Sequence, residues 1–434
     1  MAHICPCQAT GGRALLHGRA SGVYRRGEGP TRRMPVSTPA ITPHGARRSP
    51  AGHLAICTVL LTLAGLAHGT PGPAVELREH RVPHVSTAPP TRGEATTLYL
   101  REKRSTAAAD GPGGGRIVLL VHGGITPAVP AFDLPFGDYS WMDALARAGF
   151  VVYALDHSGY GYSPRPAMDD PCNLSPEDQA RIDPAFLRSP CEPSHRGPAT
   201  TRESDWDELV TAVDFLRARH GVARVSLVGW SLGGPRAGGF AARYPERVDR
   251  LVLHSPAYSR TGVAPGEPPV HPLRLLDAAS VTQGRWARAI ACDDAVEPGI
   301  REAIWAEMMR ADPVGAAWGA PDGLLRLRRG RAVVSGTIAW DRAGAGRITA
   351  PTLVLTGDQD NPGRKHQLYD DLIGTEQRVI ATLACATHYA LWERSGHGRL
   401  QDAVIEWLSL GRLGGETRGR FRIEESGTVT PESD

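Results

Sequence analysis

A single serine stands between two glycines in the stretch SLVGWSLGGP, residues 226–235, and its position makes it a candidate nucleophile. The apolar run VARVSLVGW before Ser231 predicts a strand, and a helix is expected after it. Gly229, Trp230, Ser231, Leu232 and Gly233 form a G-x-S-x-G pattern. In a sharp strand-to-helix turn, glycines remove Cβ atoms that would clash, so the serine is exposed above the sheet. The N–H group of Leu232 would then face the site where negative charge develops during attack on a carbonyl.

A serine nucleophile also needs a base that takes its proton and an acid that orients this base. Two carboxylates, Asp358 and Asp360, follow the predicted strand in APTLVLTGDQD. Active-site residues collect at the carboxyl ends of parallel strands, so this turn is a suitable place for the acid. Both carboxylates are candidates on this reasoning.

The elements that must position these residues follow an alternating pattern. Short β-rich runs alternate with helix-like stretches from about residue 95 to 408. This pattern predicts an α/β fold with a mostly parallel central sheet flanked by helices. The run RIVLLVHGG, residues 116–124, indicates a fully buried central strand, and residues 205–221 have a helical apolar face that Gly221 ends.

Five motifs resemble those of the α/β-hydrolase fold superfamily: LLVHGG, LDHSGYGYS, the serine turn, LTGDQD and THYALWE, in that order. The resemblance covers roughly residues 95–408 and implies a serine-nucleophile member with a helical cap insertion. Ser231 would lie in the nucleophile elbow. The superfamily order of nucleophile, acid and base implies that His388 is the base, with His397 as the alternative.

The resemblance also favours one of the two carboxylates. In relatives the second acidic residue of such a turn is usually the functional acid, which indicates Asp360 and leaves Asp358 to cap the turn. The superfamily's other location for the acid, after VDRLVLHSP, has no carboxylate before Glu267.

The HG turn after the strand IVLLV is expected to supply the second oxyanion donor. Gly124 is the preferred donor and Ile125 the alternative, while His122 is expected to brace the loop by hydrogen bonds. Trp230 and Ile125 are the candidate substrate contacts, although the position of Trp230 also fits ordinary packing.

Composition shifts divide the chain into five predicted parts. These are an N-terminal extension with a secretory signal peptide (1–69), the first part of the hydrolase core (70–258), a helical cap (259–346), the second part of the core (347–411) and a disordered tail (412–434). The cap and the loop 172–191 follow strand ends that form the active-site edge. We therefore expect them to roof the site together and to set substrate size.

Four of the seven cysteines lie after the predicted signal peptide. Cys172 and Cys191 bracket a polar loop without a core pattern, and we predict a disulfide between them. Cys292 and Cys385 lie far apart and are interpreted as two small buried residues, with their pairing left open. No spacing is typical of a zinc or haem site, so neither a metal nor a cofactor is expected.

The run LAICTVLLTLAGLA, residues 54–67, has the length of a signal-peptide apolar region and follows Arg47 and Arg48. Small residues predict cleavage after Gly69, and Met34 is an alternative start. The alternatives to a signal peptide are a buried helix and an uncleaved anchor. The mature chain is expected to be secreted or periplasmic, without a membrane span.

The formal net charge of +3 comes from the N-terminal extension. Residues 1–69 contribute +7 through eight arginines and one glutamate, so residues 70–434 carry −4. A mildly acidic chain gives no indication of a nucleic-acid partner.

These observations predict an exported serine hydrolase that cleaves a carboxylic ester or related acyl bond of a small molecule through an acyl-enzyme. The same triad also serves amidases, aminopeptidases, lactone hydrolases and carbon–carbon bond hydrolases. Epoxide hydrolases and haloalkane dehalogenases are disfavoured because they use an aspartate in place of Ser231. The non-enzymatic alternative is a binding protein on a hydrolase scaffold. The sequence leaves the substrate and the oligomeric state open.

Overall fold

A computed structural model describes residues 74–107, 113–262, 266–330 and 340–432. The predicted signal peptide and its cleavage site lie outside these ranges. Within them, the strands are β1 (Val75–Val85), β2 (Ala95–Ser105), β3 (Ile117–Val121), β4 (Val151–Asp156), β5 (Val225–Trp230), β6 (Val248–His254), β7 (Leu273–Leu276), β8 (Leu325–Arg328), β9 (Thr352–Gly357), β10 (Arg378–Leu383), β11 (Arg418–Ile423) and β12 (Val429–Pro431). The α-helices are α1 (Ala128–Phe132), α2 (Trp141–Arg147), α3 (Pro176–Gln179), α4 (Arg202–His220), α5 (Gly233–Arg243), α6 (Arg285–Ala289), α7 (Ile300–Ala311), α8 (Pro313–Trp318), α9 (Arg342–Gly346), α10 (Pro362–Asp371) and α11 (His397–Leu410).

Ten strands form one sheet in the order β1-β2-β4-β3-β5-β6-β9-β10-β11-β12. All neighbours from β4 to β11 in this order run parallel, whereas β1, β2 and β12 pair antiparallel at the two edges. The carboxyl ends of the parallel strands therefore meet at one edge of the sheet. The topology confirms the predicted α/β class.

The parallel strands are apolar on both faces, because helices cover both faces of the sheet. In β3, Val118 and Leu120 belong to one hydrophobic core, and Ile117, Leu119 and Val121 belong to the other. Helices α2 and α11 pack on the first face, and α4, α5 and α10 pack on the second. Burial on both sides explains why these strands are continuous apolar runs rather than alternating ones.

The prediction of a disordered tail at 412–434 is wrong for the described residues. Strand β11 adds parallel to β10, and β12 turns back beside β11. The segment is polar because its outer face is solvated, yet Phe421 and Ile423 are buried in the first core. Strand β1 at the opposite edge was missed for the same reason, since most of its side chains are exposed.

The inserted cap is not purely helical, and its predicted limits are too wide. Strands β7 and β8 form a two-stranded antiparallel sheet beside helices α6 to α8. Residues at the predicted C-terminal end of the cap belong to the hydrolase core instead, since Trp340 and Ala345 pack into the second hydrophobic cluster of that core.

The loop with the first cysteine pair packs on the cap. Met168, Leu174 and Ile182 share a small hydrophobic cluster with Leu275 and Trp318. The loop and the cap are therefore one packed unit, which is consistent with a common roof.

Two disulfides lie within the described residues. Cys172 and Cys191 are bonded, as predicted, with their Cα atoms 5.1 Å apart. Cys292 and Cys385 are also bonded, with a Cα separation of 5.9 Å, so the interpretation as two separate buried residues is wrong. Ninety-three positions separate the second pair in the chain, and only the folding of the cap onto the core brings the two cysteines together.

No helix within the described ranges has both the length and the apolar character needed to cross a bilayer.

Candidate active site

The serine turn joins β5 to α5 and requires glycine on either side. Ser231 has φ of +56°, in the left-handed region that non-glycine residues rarely occupy. A Cβ atom on Gly229 would overlap the carbonyl oxygen of Gly233, and one on Gly233 would overlap that of Val121. The Ser231 N–H group donates to the carbonyl oxygen of His254 at 2.9 Å. The strained backbone is thus held by both neighbouring strands, and the side chain is only half-buried.

Three side chains from three strand ends form a hydrogen-bonded chain. His388 lies in the turn after β10, and its Nε2 is 2.8 Å from Ser231 Oγ. Its Nδ1 is 3.0 Å from Oδ2 of Asp360, in the turn after β9. The structure therefore brings together Ser231, Asp360 and His388.

The two alternative candidates lie in other environments. Asp358 accepts hydrogen bonds from the N–H groups of Cys385 at 3.0 Å and Ala386 at 3.2 Å, so it caps the turn before His388. His397 begins α11, and its Nε2 is 3.0 Å from Asp138. Neither side chain contacts Ser231 in the described structure.

Asp360 is buried among positive groups. Lys365 Nζ lies 3.0 Å from Oδ2, and an Arg285 nitrogen from the cap lies 3.3 Å from Oδ1. Burial alone would raise the pKa of Asp360, but the hydrogen bond with His388 and the charges of His388 and Lys365 outweigh it. The pKa of this carboxyl is therefore held well below its usual range, and it is ionised at neutral pH.

Residues 116–299 match the sequence profile of a family described as alpha/beta hydrolase fold. This match spans the strand before the HG turn and the serine turn, and it agrees with the sheet order and with the geometry of the elbow. The chain has the α/β-hydrolase fold.

Two proteins similar to this chain have names that describe their activities. Monoacylglycerol lipase from Mycolicibacterium smegmatis is 24% identical over 301 residues, which cover 67% of this chain and 87% of that protein. The human (lyso)-N-acylphosphatidylethanolamine lipase is 30% identical over 134 residues, which cover 30% of each chain.

Similar solved structures include 2-hydroxy-6-oxo-6-phenylhexa-2,4-dienoate hydrolase from Rhodococcus sp. strain RHA1. It has a TM-score of 0.44 and 17% identity, and the match covers 77% of this chain and 99% of that one. A thermophilic esterase from Thermogutta terrifontis has a TM-score of 0.44 and 20% identity, with 76% and 98% covered.

The HG turn lies against the serine turn. A Cβ on Gly123 would be 3.2 Å from the Cβ of Ser231, and one on Gly124 would be 3.3 Å from a methyl carbon of Leu232. Glycines therefore let this loop approach the nucleophile. The predicted donors Gly124 and Leu232 consequently lie on adjoining turns, with Ile125 next along the loop.

Buried donors orient the carbonyl groups of this loop. Arg236 on α5 donates to the carbonyl oxygens of His122 at 3.0 Å and Gly123 at 3.2 Å, and the Tyr160 hydroxyl donates to that of Gly124 at 2.8 Å. In a trans peptide the C=O and N–H groups point in opposite directions. The N–H groups of Gly124 and Ile125 are therefore turned away from Arg236 and Tyr160, and both stay candidate donors. His122 Nδ1 lies 2.7 Å from the Gly123 oxygen, in keeping with a bracing role.

A buried ionic network supports Arg236. Asp205 on α4 accepts from Arg236 at 2.8 Å and from Arg328 of the cap strand β8 at 2.6 Å. Burial raises the pKa of Asp205, but the two guanidinium groups hold it well below its usual range. Sequence reasoning missed this network. The position of Arg236 among glycines and alanines of α5, five residues after the nucleophile, was a usable signal.

His157, Asp205 and Glu208 have ligand atoms close enough together to hold a metal ion. Glu208 is 2.6 Å from His157, and Asp205 is paired with Arg236 and Arg328. Because these cations already balance the carboxylates, the cluster is better suited to an ion-pair network than to a metal.

Trp230 does not have the exposure that a substrate contact needs. Its indole ring is buried, and its N–H donates to the carbonyl oxygen of His388 at 3.0 Å. The ring also packs edge-on against Trp392 at 5.4 Å. Trp230 therefore supports the turn that carries His388, whereas Ile125 is half-buried beside the HG turn.

Proposed function

We propose that this protein is an exported serine hydrolase that cleaves carboxylic esters through an acyl-enzyme on Ser231. The observation that carries the proposal is the unbroken chain from Ser231 Oγ through His388 to Asp360, with contacts of 2.8 Å and 3.0 Å. Such a chain makes a serine hydroxyl nucleophilic, because the base takes its proton while the acid stabilises the resulting imidazolium.

In the first half-reaction, Ser231 Oγ bonds to the ester carbonyl carbon and its proton passes to Nε2 of His388. The carbonyl electrons move to oxygen, and the N–H groups of Leu232 and Gly124 donate to this oxyanion. When the carbonyl re-forms, the bond to the alcohol oxygen breaks. His388 returns the proton to the leaving alcohol, and the acyl group stays on Ser231.

In the second half-reaction, water repeats the attack on the acyl carbon. His388 takes a proton from the water and returns it to Ser231 Oγ as the acid is released. Asp360 keeps the imidazole oriented in both halves. These groups together account for the chemistry.

The names of the two relatives support ester substrates. Both are lipases by name, and one of them matches over most of its length. The names therefore indicate the class of bond that is cleaved, and they identify no particular lipid as the substrate. The filled triad also disfavours a non-catalytic binding protein, which would have no need for the hydrogen-bonded order of these three residues.

The test is labelling of residues 70–434 with a fluorophosphonate, followed by hydrolysis of matched nitrophenyl esters, anilides and lactones. We expect one label on Ser231, its loss in Ser231→Ala, and the fastest turnover with esters. Ser255→Ala is the matched control, because Ser255 also has a positive φ at the end of a strand, yet it has no contact with His388 in the described structure. Labelling that persists in Ser231→Ala would refute the serine mechanism, and faster anilide cleavage would refute the ester preference.

Export is supported by the signal-like segment before Gly69 and by the two disulfides, which persist in oxidising compartments. Expression of the full chain should give a processed protein outside the cytoplasm whose first residue is Thr70. Recovery of the unprocessed chain in the cytoplasm would contradict export.

A further inference from the structure

Lys365 is a buried lysine whose contacts lie on one turn of the chain. It lies on α10, five residues after Asp360, with only 6% of its surface exposed. Its Nζ donates to the main-chain oxygen of Asp360 and lies 3.0 Å from Oδ2 of the same residue. A third acceptor is the main-chain oxygen of Asn361 at 3.4 Å. The ammonium group thus contacts both the backbone and the carboxylate of the triad acid.

A buried ammonium group stabilises a helix end less well than an apolar side chain would, because its charge is removed from water. Removing the charge from water is unfavourable, and buried ion pairs are commonly replaced by apolar residues without loss of stability. Burial also lowers the pKa of Lys365 itself, although the charge of Asp360 opposes this shift. The direct contact with the triad acid suggests that the charge has a role beyond packing.

Oδ2 of Asp360 accepts from two donors at once. His388 Nδ1 and Lys365 Nζ each lie 3.0 Å from this oxygen. The two contacts prevent rotation of the carboxylate, so the acceptor for Nδ1 stays in place. The ammonium charge also offsets part of the carboxylate charge, which makes a proton on His388 less favourable.

Other charged or titratable groups around the Asp360–His388 pair come from several elements. They are Arg285 of the cap helix α6, His254 at the end of β6, and Tyr389 and Glu393 beside His388. Burial lowers the pKa of His254 to about 3, so it is neutral near pH 7. Burial likewise raises the pKa of Tyr389, which stays neutral as well. Burial raises the pKa of Glu393, which is therefore a further group that can titrate in acid.

Of the two cations at Asp360, Lys365 is the buried one. The side chain of Arg285 is 67% exposed, so solvent and salt screen its charge far more effectively. A buried cation at Oδ2 of Asp360 can therefore be compared with an exposed cation at Oδ1 of the same carboxylate.

We propose that Lys365 is a positioning residue of the triad: it holds the Asp360 carboxylate in place as the acceptor for His388 Nδ1, and its positive charge opposes the stabilisation that this carboxylate gives to a proton on His388. This inference rests on the proposed serine-hydrolase function.

The experiment compares Lys365→Met and Lys365→Arg with the unaltered protein. For each protein, kcat/KM for a nitrophenyl ester and the rate constant of fluorophosphonate labelling are measured from about pH 5 to about pH 9. We expect the acidic limb of both profiles to move up by about one pH unit in Lys365→Met and to stay near its original position in Lys365→Arg. Glu393 is present in every variant, so its titration cannot produce this difference.

Arg285→Gln is the matched control and should move the limb much less than Lys365→Met. If Lys365→Met does not fold, Lys365→Gln serves instead, because its amide can still donate to the main-chain oxygens. An unmoved limb, with activity reduced equally at every pH, would overturn the proposal and leave Lys365 a purely structural residue. Absence of labelling in the unaltered protein would instead refute the proposed function itself.

Discussion

Cys292 of the cap is joined by a disulfide to Cys385, three residues before His388. The same part of the cap makes further contacts with the triad turns. The Gln359 side chain accepts from the N–H of Ala291 at 2.8 Å, and Trp286 donates to Glu393 at 2.9 Å. The cap is therefore attached to the turns that carry both Asp360 and His388.

We expect loss of this disulfide to lower kcat by more than the accompanying loss of folding stability can explain. In Cys292→Ser/Cys385→Ser, kcat for an ester should fall about 10- to 100-fold, because small displacements of a catalytic group have effects of this size. Steady-state kinetics and the rate of fluorophosphonate labelling provide the measurement.

Cys172→Ser/Cys191→Ser is the control for that variant. Its loop should lose about 3 kcal/mol of stabilisation while kcat changes little, since this pair lies in the loop packed on the cap. Equal losses of kcat in the two double variants would show that the Cys292–Cys385 disulfide has no special relation to His388.

Asp360 and Asp358 lie two residues apart but should have different roles. Substitution of Asp360 should affect catalysis, and substitution of Asp358 should affect the stability of the turn. Asp360→Asn should lower kcat by about 10³- to 10⁴-fold, because an amide can stabilise neither the required tautomer nor the imidazolium. Asp358→Asn loses charge-assisted acceptance from Cys385 and Ala386 and an ion pair with Arg422 at 2.9 Å. It should cost about 1–3 kcal/mol in denaturant unfolding with a much smaller effect on kcat. A larger loss of kcat in Asp358→Asn than in Asp360→Asn would show that Asp358, and not Asp360, is the catalytic acid.

Asp205 should make stability depend on pH. Its pKa in the folded state is lower than in the unfolded state, so its stabilising contribution is complete above about pH 4 and declines as the pH falls below that value. Asp205→Asn should cost about 3–5 kcal/mol at neutral pH, because it leaves Arg236 and Arg328 buried with less compensation. Urea unfolding at several pH values measures the difference.

The matched control for Asp205→Asn is Glu203→Gln, an exposed acid on the same helix. It should change the free energy of unfolding by less than about 0.5 kcal/mol. If the loss in free energy of unfolding caused by Asp205→Asn became larger as the pH falls toward 4, the assigned ion pairs would be contradicted.

The C-terminal strands should contribute to the core. Phe421→Ala removes a ring that is 8% exposed and should cost about 3 kcal/mol. Arg418→Ala, on the same strand, removes an exposed ion pair with Glu376 and should cost less than about 1 kcal/mol. Thermal unfolding distinguishes the two, and a neutral Phe421→Ala would indicate that β11 is not part of the folded core.

Local signals predicted the central fold and the strand ends that carry Ser231, Asp360 and His388. A buried parallel strand is a continuous apolar run, and the elbow requires glycines two residues to either side of Ser231. Asp360 and His388 each follow such a strand, and the resemblance to the superfamily favoured them over the alternatives Asp358 and His397. The structure brings the selected residues within hydrogen-bond distance.

Local sequence signals did not predict the edge strands of the sheet or the buried charged residues that support the site. Strands β1 and β11 are half-solvated, so their composition is like that of a loop or a tail. Arg236 and Lys365 are charged residues that sequence patterns assign to the surface, yet both are buried. Their partners come from the HG turn and the acid turn.

The sequence by itself determined the α/β class and the serine turn, since the strands, helices and turn that indicate them each depend on residues within a few positions of one another. Only the tertiary structure decided that Cys292 bonds to Cys385, that the cap contacts Asp360 through Arg285, and that Lys365 shares an oxygen with His388. The physical reason is that burial and electrostatic pairing depend on distances in space. Chain folding sets those distances between segments that the sequence keeps far apart.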